Sequence, residues 1–164
     1  MFESKKIKEQ FLWAPVIRRG ENPEFTAYGL ERMARVIVCG MGGSNLASGF
    51  LEMLRQDLDV VVHRSYGLPQ TVSKDDLIII SSYSGNTEEV LDSFEEAING
   101  GFNVIAISMG GKLLELAKEK NVPFIQIPVS NLQPRMAVGF SLLAMLKAVG
   151  DEENLKKVLG FGKI

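Results

Sequence analysis

The residues best suited to chemistry in this sequence are a group of hydroxyls that follow an apolar run. Leu77–Ile80 is continuously apolar, and Ser82, Ser84 and Thr87 come directly after it, with a glycine among them. A helical pattern then begins at Glu88. Hydroxyls and free backbone N–H groups at the positive end of a helix suit a phosphate, and a glycine lets the backbone approach it closely. The pattern therefore predicts binding of an anionic group, with a phosphate ester as the leading candidate.

A second turn, rich in glycine, follows the apolar segment Arg35–Cys39 and contains Gly43 and Ser44. In a doubly wound parallel sheet the first and third strands are neighbours, and the strand order reverses between them. Ligands bind in that crevice, outside the carboxyl ends of the strands. Two turns that suit an anion on either side of the crevice are a stronger indication of a site than either turn alone.

A cation at the start of an apolar helix is the third candidate. Arg135 precedes the apolar segment Met136–Val149 and follows Pro134, which presets a turn. The helix dipole disfavours a cation at a helix start, so this position favours a functional role over an ordinary surface arginine. The segment itself is apolar on nearly all sides, which is typical of either a central core helix or a dimer face.

The elements that must position these residues alternate between strands and helices. This alternation predicts a three-layer α/β/α sandwich around a five-stranded parallel sheet of order 2-1-3-4-5. Residues 1–34 are predicted to form an N-terminal helical arm with a short helix at Phe25–Met33, and residues 35–164 a single domain. The predicted strands are Arg35–Cys39, Val60–His63, Leu77–Ser81, Asn103–Ile107 and Pro123–Ile127, and the predicted helices are Asn45–Arg55, Glu88–Asn99, Leu113–Lys120 and Met136–Val149.

Composition excludes several classes of protein. A hydrophobic content of 46% over 164 residues allows one globular domain with a substantial core, and a net charge of −2 is too balanced for general nucleic-acid or anionic-membrane binding. The one cysteine, Cys39, is predicted to be a small buried hydrophobe, and its lack of an intrachain disulfide partner favours a cytoplasmic setting. No signal peptide or membrane-spanning segment is predicted.

Two other kinds of phosphate loop fit the sequence less well. The dinucleotide fingerprint begins at Gly40 and Gly42, but its last position falls on Asn45, where glycine or alanine is required. The second strand also ends in His63 and Arg64, with no acid for a ribose. The loop Ser82–Thr87 is similar to the flavodoxin phosphate loop, which follows the first strand, whereas here it follows the third.

Four motifs, in order, resemble those of sugar isomerase (SIS) domains. VIVCGMGGS resembles their first strand and glycine turn, while HRSYGLP, SYSGNTEEVL and LQPRMAVGF resemble segments of the bifunctional phosphoglucose/phosphomannose isomerases. The resemblance implies that Ser82, Ser84 and Thr87 hold a sugar phosphate, that Gly43 and Ser44 face the sugar, and that Arg135 neutralises an enediolate. It also implies isomerisation of glucose 6-phosphate or mannose 6-phosphate to fructose 6-phosphate, which needs no metal or organic cofactor.

The chain departs from these isomerases in one respect. Their second SIS domain supplies a glutamate base and a ring-opening histidine, and no matching segment occurs in this sequence, whose one histidine is His63. Three alternatives follow: completion of the site by a second copy in a homodimer, half of an enzyme, or a non-catalytic sugar-phosphate-binding module. His63 by default is structural, and Glu88 and Glu89 by default complement the helix dipole rather than act as bases.

Overall fold

The fold is built on a six-stranded mixed sheet in a computed structural model that describes residues 8–19, 33 and 35–163. The strands are β1 (Ile17–Arg18), β2 (Val36–Gly40), β3 (Val60–His63), β4 (Leu77–Ser81), β5 (Asn103–Ser108) and β6 (Phe124–Gln126). The α-helices are α1 (Gly43–Leu54), α2 (Glu88–Asn99), α3 (Gly111–Glu119), α4 (Val138–Ala148) and α5 (Glu152–Gly160), with 3₁₀ turns at Gln10–Leu12, Pro134–Met136 and Phe161–Lys163.

The prediction of a sheet of five parallel strands misses a sixth, antiparallel strand at one edge, whereas the five predicted strands themselves are parallel and lie in the predicted order. Across the sheet the order is β1-β6-β5-β4-β2-β3, and β1 pairs antiparallel to β6 through Ile17 and Ile125. The other neighbouring strands pair in parallel. The extra strand is only two residues long, and its pairing with a distant strand leaves no period-2 pattern in the local sequence.

Alternate residues of the strands face two separate hydrophobic layers. Val36 and Val38 of β2 contact the layer that includes α1, α4 and α5, whereas Ile37 and Cys39 contact the layer that includes α2 and α3. The sheet is therefore covered on both faces, which explains why its central strands read as continuous apolar runs. Burial raises the pKa of the Cys39 thiol to about 12, and the prediction that this cysteine is a buried hydrophobe is confirmed.

The apolar segment at Met136 is a core helix. Leu143, Ala144, Met145 and Leu146 of α4 are completely buried within this chain, so this helix does not offer the dimer face that was the alternative. Helix α5 was not predicted, and its N-cap is Asp151, whose carboxylate accepts a hydrogen bond from the Asn154 N–H at 3.0 Å. The predicted helix at Phe25–Met33 and most of the arm 1–34 lie outside the described residues. No helix in the described ranges is long and apolar enough to cross a membrane.

Candidate functional site

Two of the predicted site segments begin side by side, at the carboxyl ends of two neighbouring strands. Gly40 at the end of β2 pairs with Ser81 at the end of β4, so the turns that follow these strands start side by side. The ends of the two strands lie so close together that a Cβ on Gly40 would be 2.9 Å from the Ser81 carbonyl oxygen. This explains why residue 40 is a glycine. The two turns therefore begin where the strand order of the sheet reverses, which is where the sequence predicts the site.

The loop 82–87 is held in shape by one buried hydroxyl. Ser82 Oγ accepts a hydrogen bond from the Gly85 N–H at 3.1 Å and lies 3.0 Å from Thr87 Oγ1. The Ser82 side chain is buried, whereas Ser84 is exposed, and Ser84 Oγ accepts a hydrogen bond from the Asn86 N–H at 3.3 Å. Of the three predicted phosphate ligands, Ser84 presents its hydroxyl most openly, and Ser82 mainly fixes the loop.

The turn after β5 supports the loop 82–87 from behind. The Leu113 N–H donates to the Gly85 carbonyl at 2.9 Å, and the Lys112 N–H donates to Asn86 Oδ1 at 3.0 Å. Gly85 has a φ of 77°, and a Cβ there would collide with the Gly110 carbonyl oxygen. A side chain at Gly85 would therefore be both strained and excluded by this neighbouring turn.

A hydrogen bond joins the two turns. Ser44, in the first turn of α1, is only 6% exposed, and its Oγ accepts from the Tyr83 N–H at 3.1 Å. Tyr83 in turn places its phenol oxygen 2.7 Å from Ser130 Oγ, in the loop that leads to Arg135. This role of Tyr83 was not predicted, because a tyrosine between two serines carries no pattern that indicates a link to a segment 47 residues away.

The third predicted segment, at Arg135, packs against the start of α1. A Cβ on Gly43 would lie 2.7 Å from the Pro134 carbonyl carbon and 2.9 Å from the Arg135 nitrogen. The backbones therefore touch here, and only glycine allows it. Arg135 is exposed, and it makes no hydrogen bond or ion pair with any residue that the structure describes. Its guanidinium is thus available to an anion.

The first turn of α2, which is the positive end of this helix, directly follows the loop 82–87. Thr87 occupies the N-cap position without a side-chain hydrogen bond to the helix, so the first N–H groups have no cap from this residue. Glu88 and Glu89 follow it in the first turn, where they complement the helix dipole. The Glu88 carboxylate lies 3.4 Å from the Tyr66 hydroxyl and therefore faces the neighbouring loop.

The loop 63–69 is fixed along α2 by acidic side chains. Asp92 accepts from the Gly67 N–H at 2.7 Å, and Glu96 accepts from the Leu68 N–H at 3.1 Å. His63 Nε2 lies 3.2 Å from the Tyr66 carbonyl oxygen within the same loop. The charge of Glu89, followed by burial, raises the pKa of the exposed Tyr66. These contacts span 25 and 28 residues of sequence, so no local pattern indicates them.

Comparison with known proteins identifies the class of fold. The sugar isomerase domain of an RpiR transcription factor from Sphaerobacter thermophilus superposes with a TM-score of 0.52 at 19% identity, over 80% of this chain and 79% of that one. At this identity the likeness shows the fold alone, and the fold is that of an SIS domain. No family model matches the chain.

Sequence similarity relates the chain to particular proteins that are named as isomerases. Bifunctional phosphoglucose/phosphomannose isomerases are 42% identical over 119 residues in Caldicellulosiruptor bescii and 41% identical over 136 residues in Aquifex aeolicus. These matches cover 71% and 76% of this chain but only 35% and 42% of the relatives' length. The chain is a sequence relative of these isomerases, and the resemblance predicted from the motifs is confirmed.

Proposed function

We propose that this chain binds a hexose 6-phosphate at the carboxyl ends of β2 and β4 and takes part in aldose–ketose isomerisation. The observation that carries the proposal is the convergence of three separate segments, the start of α1, the loop 82–87 and the turn at Arg135. Ser44 joins the first two through the Tyr83 N–H, and Gly43 packs on the third. The sequence similarity to bifunctional phosphoglucose/phosphomannose isomerases supports glucose 6-phosphate, mannose 6-phosphate and fructose 6-phosphate as substrates.

The phosphate is assigned to the loop 82–87 and the first turn of α2. Ser84 and Thr87 offer hydroxyls, and the helix offers backbone N–H groups at its positive end. Ser82 holds these groups in place through its bonds to Gly85 and Thr87. Because the loop is also braced by the turn after β5, the phosphate ligands are preorganised rather than assembled on binding.

The sugar then extends toward α1 and Arg135. The absence of a side chain at Gly43 lets the backbone of Pro134 and Arg135 pack against the start of α1, which brings Arg135 beside Ser44. Isomerisation through a cis-enediolate develops negative charge on two adjacent oxygens, and a guanidinium stabilises this charge more in the transition state than in the ground state. Arg135, exposed and without a partner among the described residues, is the group we assign to this role.

The general base and the ring-opening acid are assigned to a second copy of the chain in a homodimer. General acid–base catalysis needs such groups within hydrogen-bond reach of the sugar. Two candidates in this chain have other contacts, since His63 lies against the Tyr66 carbonyl and Glu88 against the Tyr66 hydroxyl. A cytoplasmic location, which the unpaired Cys39 favours, is part of the same proposal.

A coupled assay of fructose 6-phosphate and mannose 6-phosphate turnover tests the proposal. Arg135→Ala should lower kcat more than it raises KM, because the charge matters most as the enediolate forms. Arg18→Ala is the matched control, since Arg18 is an exposed arginine on β1, an edge strand that β6 and β5 separate from β4 and β2. A loss confined to KM would make Arg135 a binding residue, and absence of turnover in the wild-type protein would refute the isomerase assignment.

A non-catalytic sugar-phosphate sensor is the second candidate. It is favoured by the fold shared with the sugar isomerase domain of a transcription factor, together with the local contacts of His63 and Glu88. This alternative predicts saturable binding of a hexose 6-phosphate with no turnover. Calorimetry alongside the coupled assay separates the two candidates.

A further inference from the structure

Tyr83 is a residue of the loop 82–87 that has no part in the proposed binding of the phosphate. Its side chain is only 6% exposed and packs in the hydrophobic layer that includes α4. A buried tyrosine places its hydroxyl against a polar partner, and the Tyr83 phenol oxygen lies 2.7 Å from Ser130 Oγ. Because the phenol is buried against Ser130, it is not offered to a ligand, and what it can influence is the segment that contains Ser130.

The segment 128–136, the arginine segment, links β6 to α4 and carries Arg135. Its residues 128–132 form no backbone-to-backbone hydrogen bond with any residue that the structure describes. Side chains hold them instead, since Ser130 Oγ accepts from the Leu132 N–H at 3.4 Å in addition to its contact with Tyr83, and Leu132 is buried. Ser130 is therefore a point at which the first half of the arginine segment is fixed.

The other end of the arginine segment is fixed from outside the candidate site. The buried Gln10 donates from Nε2 to the Met136 carbonyl at 2.8 Å, and its Oε1 accepts from the Phe140 N–H at 3.3 Å. This amide takes the place of a side-chain N-cap at the start of α4, where Ala137 provides none. With Met136 fixed in this way, the position of Arg135 depends on how the preceding residues are held.

We propose that Tyr83 is a positioning residue whose phenol keeps Arg135 in a fixed position relative to the loop 82–87. Among the described residues, its contact with Ser130 is the one hydrogen bond between this loop and the arginine segment. The packing of Gly43 on Pro134 limits how closely the segment approaches α1, but it does not keep the segment from moving away. This role rests on the proposed function, because it takes Arg135 to act on a sugar whose phosphate the loop holds.

The phosphate ligands do not depend on the Tyr83 phenol. Ser82 Oγ holds the loop through the Gly85 N–H, and the Tyr83 backbone is held by two further bonds, from its N–H to Ser44 Oγ and from the Met109 N–H to its carbonyl at 3.1 Å. Tyr83→Phe keeps the ring and all of these bonds and removes only the hydroxyl. The substitution therefore separates the positioning of the guanidinium from the binding of the phosphate.

The kinetics of Tyr83→Phe in the coupled assay of fructose 6-phosphate turnover test this role. We expect kcat to fall roughly two- to tenfold, the factor that corresponds to one lost hydrogen bond between uncharged groups, while KM changes by less than about twofold. Ser130→Ala removes the same bond from the other side and should have the same effect. In the Arg135→Ala background, Tyr83→Phe should lower kcat no further, because a positioning residue acts through the group that it positions.

Tyr66→Phe is the matched control, since Tyr66 is an exposed tyrosine on the loop 63–69 whose hydroxyl lies near Glu88 and makes no contact with the arginine segment. It should turn over fructose 6-phosphate like the wild type. A loss in Tyr83→Phe that appears only in KM would overturn the proposal. So would an equal loss of kcat in the control, or an undiminished loss in the Arg135→Ala background.

Hydrogen exchange of the free chain tests the contact without any substrate. The backbone N–H groups of the arginine segment should exchange faster in Tyr83→Phe and in Ser130→Ala than in the wild type, whereas those of α2 should exchange at the same rate in all three proteins. Thermal unfolding checks that both variants fold. Unchanged exchange in the arginine segment would overturn the proposal whether or not the chain turns substrate over. Absence of turnover in the wild type would instead refute the proposed function, and the exchange rates would still decide whether Tyr83 holds the segment.

Discussion

Substitution of two serines of the candidate site by alanine should change two different properties, ligand binding for one serine and stability for the other. Ser84 is exposed in the loop 82–87, while Ser44 is 6% exposed and accepts a hydrogen bond from the Tyr83 N–H at 3.1 Å. If Ser84 binds the phosphate and Ser44 joins the two turns, Ser84→Ala should affect ligand binding, and Ser44→Ala should affect the stability of the fold.

The expected magnitudes follow from what each substitution leaves behind. Ser84→Ala removes a hydrogen bond to a charged group, which contributes about 1.5–3 kcal/mol, so the affinity for fructose 6-phosphate should fall about ten- to hundredfold. Ser44→Ala leaves the Tyr83 N–H without its acceptor in the buried core of the site, which costs about 1–3 kcal/mol of unfolding free energy. Ser84→Ala should change that free energy by less than about 0.5 kcal/mol.

Calorimetric titration with fructose 6-phosphate and urea denaturation measure the two effects separately. Loss of affinity in Ser84→Ala with unchanged stability supports the assignment. If Ser84→Ala binds as tightly as the wild type, the loop 82–87 is not the phosphate site. If Ser44→Ala unfolds at the same urea concentration as the wild type, the hydrogen bond between the turns does not hold them together.

Three further predictions follow from the packing and the charges. Gly43→Ala should weaken phosphosugar binding and lower the melting temperature, because its Cβ would lie 2.7 Å from backbone, whereas the control Gly160→Ala should not, since its Cβ meets nothing within 4 Å. Cys39, with its pKa raised to about 12 by burial, should resist iodoacetamide until guanidinium unfolds the chain; rapid labelling of the native protein would contradict this. Hydrogen bonding from Arg55 lowers the pKa of Asp57 from 3.8 to about 2. The Asp57 carboxylate therefore stabilises the folded chain fully above pH 3.8, and this stabilisation is lost as the pH falls toward 2. Asp57→Asn should therefore lose less stability over that range in acid titrations, and an unchanged acid limb would refute the pairing.

The sequence predicted the central elements of the fold because their signals are local. The buried strand Leu77–Ser81 and the helix Glu88–Asn99 occur at the predicted residues, since a continuous apolar run and a three-and-four spacing each report burial directly. Strand β1 was missed because two residues paired with a distant strand have no periodicity. Helix α5 was missed although Asp151 and the acids that follow it are a recognisable helix start.

The candidate site was predictable in its segments but not in its contacts. The glycine turn, the loop 82–87 and Arg135 each carry a composition that indicates function. The contact of Gly43 with Pro134 and the bond between Tyr83 and Ser130 join segments far apart in the chain, and no local pattern encodes them. The burial of Ser82 could not be predicted either, because its sequence neighbours do not distinguish a phosphate ligand from a residue that supports the loop.

Calorimetric titration of the wild-type chain with fructose 6-phosphate, compared with fructose, tests whether the site recognises a sugar phosphate. We expect saturable binding of fructose 6-phosphate and no measurable binding of fructose, because the loop 82–87 and the first turn of α2 recognise the phosphate rather than the sugar. If fructose 6-phosphate fails to bind, or if both compounds bind with equal affinity, the loop 82–87 is not a phosphate site.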